Sequence, residues 1–451
     1  MTVALLSLAE AARALRAGAL SPLDLTRACL ERIEELDPIL NAFITLTGDA
    51  AVEQARQAGA ELASGRDRGP LHGIPIALKD LIDTAGIRTT AASGLFEDRV
   101  PGADAEVVRR LRAAGAVVLG KLNLHEFAYG GSGVVGRFGA ARNPRNPAHI
   151  AGGSSSGSAA AVGAGMCFAS VGTDTSGSIR VPAALSGVAG HKPSYGLVSV
   201  RGVLPLSPSC DHVGPLARSA EDAALVHQAI AGFDPDDIHA VRPPVSPPAS
   251  LEDRRPRVGV ARSFFCDGLD GEVALAFASA LERVAALAER VDEVVVPVND
   301  DRVVFVAESY AVHRVHVEGS PERYQPETLR RLRSSGPISA SDYIDKRDEL
   351  ERLRRGAAAL FRDVDLVVTP TVAVAAPSFA EIEAAPAELR SRELLLLRNT
   401  RPFNILGLPA LSVPCGVTRA GLPVGLQIVG PPWADERVLR FGVAFERAKG
   451  A

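Results

Sequence analysis

The chain has 451 residues, 47% apolar and 23% charged, with a net charge of −4 at pH 7. These are the proportions of an ordinary soluble globular protein. They argue against a nucleic-acid surface, and no long basic block is present to supply one. Five cysteines, Cys29, Cys167, Cys210, Cys266 and Cys415, are odd in number and widely spaced, with no Cys-x-x-Cys pair. That spacing argues against a disulfide framework or a zinc site and fits a reducing, cytoplasmic compartment. The first residues carry Glu10 and Arg13 in an amphipathic pattern, so no signal peptide is expected. No apolar run reaches the ~18 residues of a membrane helix, and no membrane partner is expected.

Ser7-Leu-Ala-Glu10 is a capping box that predicts a first helix. Ser21-Pro22 predicts a second, with Leu25, Cys29 and Ile33 on one face, and residues 48–63 predict a third. Alternation begins after Gly69: Ile74–Leu78 reads as a strand, residues 104–114 as a helix, and Ala116–Leu119 as a strand. Repetition of this kind predicts an α/β fold, a mixed and mostly parallel sheet covered by helices on both faces. Met166–Val171 reads as a further buried strand, and Ser219 caps a helix to about Ala231. Six prolines between 235 and 256 make residues 232–256 a surface connection. Strands are expected at Arg257–Ala261, Glu293–Val298 and Asp365–Thr369, with an amphipathic helix over 271–290 and mostly helical residues at 300–362. Ala410–Gly416 and Val424–Val429 read as antiparallel strands, and a last helix runs from about Asp435 to Lys449. Length alone allows about two or three domains. The dispersal of the motifs described next favours one large domain over residues 1–451.

Gly172-Thr-Asp-Thr-Ser-Gly-Ser-Ile-Arg180 lies where a strand gives way to Val181-Pro182, a suitable first helical turn. Small residues there leave backbone N–H groups uncovered, and such a junction holds an anion. Ser178 in its own anion site reads as a nucleophile beside an oxyanion hole. Upstream, Gly152-Gly-Ser154-Ser155-Ser156-Gly-Ser158 carries more serines than a helix cap needs, ahead of an Ala/Gly-rich buried helix. Lys79 ends an apolar strand in a chain with only five lysines. A buried lysine can give up its proton, as arginine cannot. The competing reading of Lys79 is an ion pair with Asp80.

Together these pieces resemble the amidase signature family, serine hydrolases with a Ser–Ser–Lys triad. Residues 152–158 and 172–183 carry the resemblance, which extends through Lys121–Gly130 and from Pro409–Pro414 to Gly425–Gly430. It implies Lys79 as base, Ser154 as bridging serine with a cis peptide before it, and Ser178 as nucleophile. It implies an oxyanion hole at Thr175, Ser176, Gly177 and Ser178, and substrate contacts at Tyr129, Gly130, Gly131 and Ser154 within a pocket wall over 125–133. It places a signature core at about 70–215 and a variable helical segment at about 257–362. Segments 300–345 and 371–403 are expected to shape the pocket. Ser156 and Ser176 stand where the family pattern has glycine.

The function expected is hydrolysis of a small-molecule carboxamide through a seryl acyl-enzyme, with no cofactor and no metal. A homodimer is left open. The alternative is the glutaminase component, the A chain, of a tRNA-dependent amidotransferase. Those proteins usually read Asp and Met where this chain has His125 and Tyr129, which favours the stand-alone enzyme. Gly153–Gly157 also matches the Gly-x-Ser-x-Gly elbow of esterases, with Ser155 as nucleophile, but no convincing strand precedes it. Gly131–Gly136 matches a dinucleotide fingerprint without its strand. A catalytically dead binding protein is the remaining reading, and the intact triad opposes it.

Overall fold

The computed structural model describes residues 3–244, 254–334 and 338–448. Its eleven strands form a single sheet. In chain order they are β1 (Phe43–Leu46), β2 (Pro75–Lys79), β3 (Val117–Leu122), β4 (Ala169–Thr173), β5 (Ala189–Lys192), β6 (Val213–Ala217), β7 (Arg257–Val260), β8 (Arg290–Glu293), β9 (Leu366–Pro370), β10 (Ala410–Val417) and β11 (Pro423–Val429). Across the sheet they lie in the order β1-β3-β2-β4-β6-β5-β10-β11-β9-β7-β8. The α/β class and the single mixed sheet match the expectation. The parallel majority does not: β2 pairs in parallel with β3 and β4, and β7 with β8 and β9, while the other six pairings are antiparallel. Parallel neighbours need a long crossover, whereas β10 and β11 are joined by a tight turn, which forces an antiparallel pair.

The helices begin where the sequence signals place them. Ser7 and Ser21 close capping boxes on helices Leu8–Arg16 and Pro22–Leu40, and Ser219 caps Ala220–Ile230. Most boundaries fall within about three residues of expectation, and two strand shifts matter. The strand expected at Met166–Val171 forms at Ala169–Thr173, which carries it to the edge of the turn at 174–178. The strand expected at Glu293–Val298 forms at Arg290–Glu293 instead. Pro297 cannot donate to a ladder, and Val294, Val296 and Val298 pack on a small core with Phe265 and Phe403. β1, β5 and β6 were not expected from the sequence, and part of the proline-rich connection, 245–253, falls outside the described residues.

Small residues let helices close on both faces of the sheet. On β10, Leu411 and Val413 point one way and Ser412 the other, because successive side chains alternate. Helix Asp435–Arg447 lies on the first face, where a Cβ on Gly442 would stand 2.3 Å from Leu411. Helix Arg180–Ser186 lies on the opposite face, where a Cβ on Gly190 or Gly425 would stand 2.6 Å from Ala183 or Ala184. That second helix carries Ser178 at its entrance. Overpacking it costs about 1–3 kcal/mol per substitution. Gly425→Val is therefore expected to lower the unfolding free energy by that amount, read as a lower urea midpoint at unchanged m-value.

Candidate active site

β2 and β4 are parallel neighbours, so their C-terminal ends open on one edge of the sheet, where crevices form in such folds. Lys79 ends β2 and Thr173 ends β4. The Lys79 side chain is fully buried, with Nζ 2.7 Å from Ser154 Oγ and 2.8 Å from Thr173 Oγ1. Asp80 is engaged elsewhere: it accepts from Thr90 and stands 3.7 Å from Lys121. The ion-pair reading of Lys79 is thereby withdrawn. Burial strips water from the ammonium and pushes the Lys79 pKa down to about 7, against the upward pull of Asp174 and Asp211.

Ser154 follows a cis peptide bond from Gly153 and is fully buried behind the cavity. Its carbonyl accepts from the His125 N–H at 3.1 Å. Ser155 Oγ donates to the Thr173 carbonyl at 3.2 Å and is also fully buried, which removes the basis for an esterase using Ser155. Ser156 opens helix Ser156–Gly163, its buried hydroxyl without a partner among the described residues.

Residues 175–178 cross from β4 into helix Arg180–Ser186. The carbonyls of this turn are occupied: Ser176 accepts from Thr400 Oγ1 (2.6 Å), Gly177 from the Val181 N–H (2.7 Å) and Ser178 from the Ser155 N–H (3.2 Å). The backbone N–H groups of Thr175, Ser176, Gly177 and Ser178 donate to no partner among the described residues. Such a run of free amides is an anion-binding nest. Gly177 sits at φ +139°, and a Cβ there would fall 2.0 Å from Thr400 Oγ1, so the turn tolerates only glycine. Ser176, which stands where the resemblance has glycine, lines the cavity.

A buried fork anchors the turn. The Arg180 guanidinium donates to both Asp174 oxygens (3.0 and 2.9 Å), to Asn404 Oδ1 (2.6 Å), to Gln427 Oε1 (2.7 Å) and to the Thr400 carbonyl (2.9 Å). Asp174 also accepts from the Ile179 N–H at 3.1 Å. Burial pushes the Asp174 carboxyl up, but Arg180 and Asn404 outweigh it and hold the group well below the usual carboxylate range.

Ser178 is 4% exposed and faces a cavity of about 440 Å³. Its Oγ makes no hydrogen bond to Ser154: the contact from Lys79 to Ser154 is formed, and the one from Ser154 to Ser178 is open. Catalytic contacts of this kind commonly tighten only when substrate binds. Ala128, Tyr129 and Gly130 line one wall, while Gly131 lies behind it, its carbonyl accepting from the Gly153 N–H at 2.8 Å. His125 is buried behind Gly130, held neutral by burial and by Arg331 and Arg390. The opposite walls come from 299–305 and 390–402. Thr173, Thr400, Asn404 and Gln427 escaped the sequence reading. The signal for Gln427 was a lone amide inside an apolar strand, which requires a buried partner. Outside the cavity, His191, His227 and Asp435 bring three potential metal ligands within 4.8 Å of one another. Asp435 already accepts from His191 and from both the N–H and Oγ of Ser194.

Residues 24–439 match the family model described as Amidase. The A chain of glutamyl-tRNA(Gln) amidotransferase from Synechococcus sp. (strain CC9605) is 38% identical over 96% of this chain and 94% of its own. A crystal structure described as an amidase superposes with TM-score 0.86 at 36% identity, covering 99% of this chain and 100% of that one. Native peptide amidase from Stenotrophomonas maltophilia superposes with TM-score 0.82 at 32% identity, covering 98% and 96%.

Arg180→Met leaves the Asp174 carboxylate buried without its cation, a loss of about 3–5 kcal/mol. Urea unfolding should register that loss, while Arg56→Met, which removes an exposed pair with Glu53, should change stability by less than ~1 kcal/mol.

Proposed function

This chain belongs to the amidase family, enzymes that hydrolyse amide C–N bonds, and we propose that it does so with Ser178 as nucleophile, Ser154 as proton relay and Lys79 as base. One observation carries the reading: a lysine buried without a carboxylate in contact, 2.7 Å from Ser154, beside a turn of four free amides that includes Ser178. Ser178 Oγ bonds to the carboxamide carbon while its proton passes through Ser154 to Lys79. The carbonyl electron pair moves to oxygen, which the amides of Thr175–Ser178 receive. The proton then reaches the nitrogen, the C–N bond breaks, and an amine or ammonia departs. Water, activated through the same relay, attacks the acyl-enzyme and releases the carboxylate with Ser178 restored. Each oxyanion donor in such sites is worth ~2.7–4 kcal/mol of barrier.

The relative from the tRNA-dependent amidotransferase supports a second reading, in which the amide is that of glutamine and the ammonia passes to a partner working on charged tRNA. Purification of the tagged chain from its own host separates the two. A stoichiometric second protein together with glutaminase activity selects the second, and the isolated chain with activity on other amides selects the first. Among the described residues no helix is long and apolar enough to cross a membrane.

Ser178→Ala should abolish covalent labelling by a fluorophosphonate and amide hydrolysis together, with unchanged circular dichroism. Full activity in this variant would overturn the assignment.

The base must be neutral to accept a proton. A Lys79 pKa of about 7 therefore predicts that kcat/KM climbs by about tenfold per pH unit below that value and levels off above it. Lys79→Arg keeps the charge and cannot take the proton. It should lose at least about a hundredfold in kcat/KM, as should Lys79→Ala. Near-native rates in Lys79→Arg would remove the base from the scheme.

A further inference from the structure

The cavity in front of Ser178 is lined by Arg302, Arg390, Arg398 and Arg401, and by a single acidic side chain, Asp300. The surrounding groups leave this positive charge largely uncompensated. Arg390 has one carboxylate within reach, Glu393 at 3.5 Å, and Arg331 already holds that carboxylate at 2.7 Å. Arg401 donates to the backbone carbonyl of Asp301 and feels the nearby carboxylates of Asp300 and Asp301, which compensate it in part. Arg398 donates through Nε to the Asn399 side chain at 3.1 Å, and its buried Nη2 has no partner among the described residues. The Arg302 guanidinium lies over the Phe305 ring at 5.1 Å, with no hydrogen bond or ion pair to any described residue. Burial, then the charges of Arg390 and Arg401, push its pKa down to about 10. The rest of the lining is largely apolar: Leu206, Phe264, Phe305, Leu394 and Leu397.

Four guanidiniums around one small cavity repel one another, and the donors of Arg302 and the Nη2 of Arg398 lose water without gaining an acceptor among the described residues. A pocket for neutral amides gains nothing from that arrangement. An anion entering it gains charge-assisted, bidentate hydrogen bonds at each planar fork. We propose that the amide this enzyme hydrolyses carries a second, anionic group, a carboxylate in its simplest form, which seats on Arg302 and Arg398 while the carboxamide meets Ser178. This inference rests on the amide-hydrolase reading and names its substrate class. It is compatible with a zwitterion such as glutamine only to the extent that Asp300 serves the ammonium.

The test uses the purified full-length chain and two readouts. In the first, fluorophosphonate labelling of Ser178 is followed while linear dicarboxylates from malonate to suberate, or their dimethyl esters, compete for the cavity. In the second, kcat/KM is compared for glutaramate, L-glutamine and the neutral isostere pentanamide. Charge-assisted hydrogen bonds predict that the best dicarboxylate protects Ser178 at concentrations about tenfold to a hundredfold below its ester, and that the charged amide is preferred over the neutral one by a similar factor. Arg302→Met keeps the packing on Phe305 and removes the charge. It should erase most of that discrimination, and Arg398→Met should do the same, with losses on the anionic ligand exceeding those on the neutral one by about tenfold. Equal protection by diacids and esters, or equal losses on charged and neutral ligands in both variants, overturns the proposal. Absence of labelling at Ser178 in the native chain overturns the hydrolase mechanism itself, so the two failures are distinguishable.

Discussion

A cation buried without a carboxylate in contact organises the catalytic half of this molecule. An ammonium taken out of water sheds its proton unless a carboxylate holds it. Lys79 touches only the hydroxyls of Ser154 and Thr173, and the distant pull of Asp174 and Asp211 offsets its burial only in part. Lys121 is buried as well, and burial likewise pushes its pKa down, to about 8, with Asp80 at 3.7 Å pulling the other way. A chain with five lysines places Lys79, Lys121 and Lys192 in its interior. At Lys79 the interior position is what makes a neutral amine available near neutral pH. Arginine, which serves almost everywhere else in the chain, would stay charged there.

The other half of the chemistry is made by backbone, and the Arg180 fork makes it. Free amides are useful only if they are held pointing at one place. Asp174 and Arg180 fix the two ends of the turn against each other. Thr400, Asn404 and Gln427, more than 200 positions away, lock the pair to the far strands of the sheet. Because the carbonyls of Ser176, Gly177 and Ser178 are consumed on the inner side, the amides have nothing left to bond except what enters the cavity. Gly190 and Gly425 belong to the same device. They let helix Arg180–Ser186 settle on the sheet closely enough for the fork to reach Gln427.

Much of this was legible in the residues. The capping serines at 7, 21 and 219 mark helix starts because their hydroxyls satisfy local amides, and the structure uses each one so. Ser178, Ser154 and Lys79 stand out because each sits in a short run whose composition is hard to explain by packing alone, and the structure brings Lys79 against Ser154 and places Ser178 on the cavity. Strand direction was readable only in part. Alternation of helix and strand predicts parallel pairing, and it holds for β2, β3 and β4; the antiparallel β10–β11 hairpin was legible too, but β4–β6, β5–β6 and β5–β10 join by pairings that no local pattern records. The strand expected at 293–298 failed for a related reason: a valine-rich run satisfies a core contact as well as it satisfies a ladder. The partners of Arg180 were hidden because a buried polar residue announces that it needs a partner without saying which.

The division between what was readable and what was not follows the division of labour in the site. The proposed proton transfer and oxyanion binding draw on contiguous segments, 152–158 and 172–180, together with the end of β2, so their demands are written locally. The cavity walls opposite come from 299–305 and 390–402, segments that share no contiguous motif with the turn at 174–178. Changes there leave the carbonyl contacts beneath Ser176–Ser178 intact, with one point of attachment at Thr400. A fold partitioned this way can keep one chemistry while its substrates diverge. That is consistent with the spread of names among its similar proteins, from a component of an amidotransferase to a peptide amidase. The arginines of this chain's cavity lie wholly outside the segments that build the turn and the relay, so the charge they bring acts on which amide enters the cavity rather than on how its bond is broken.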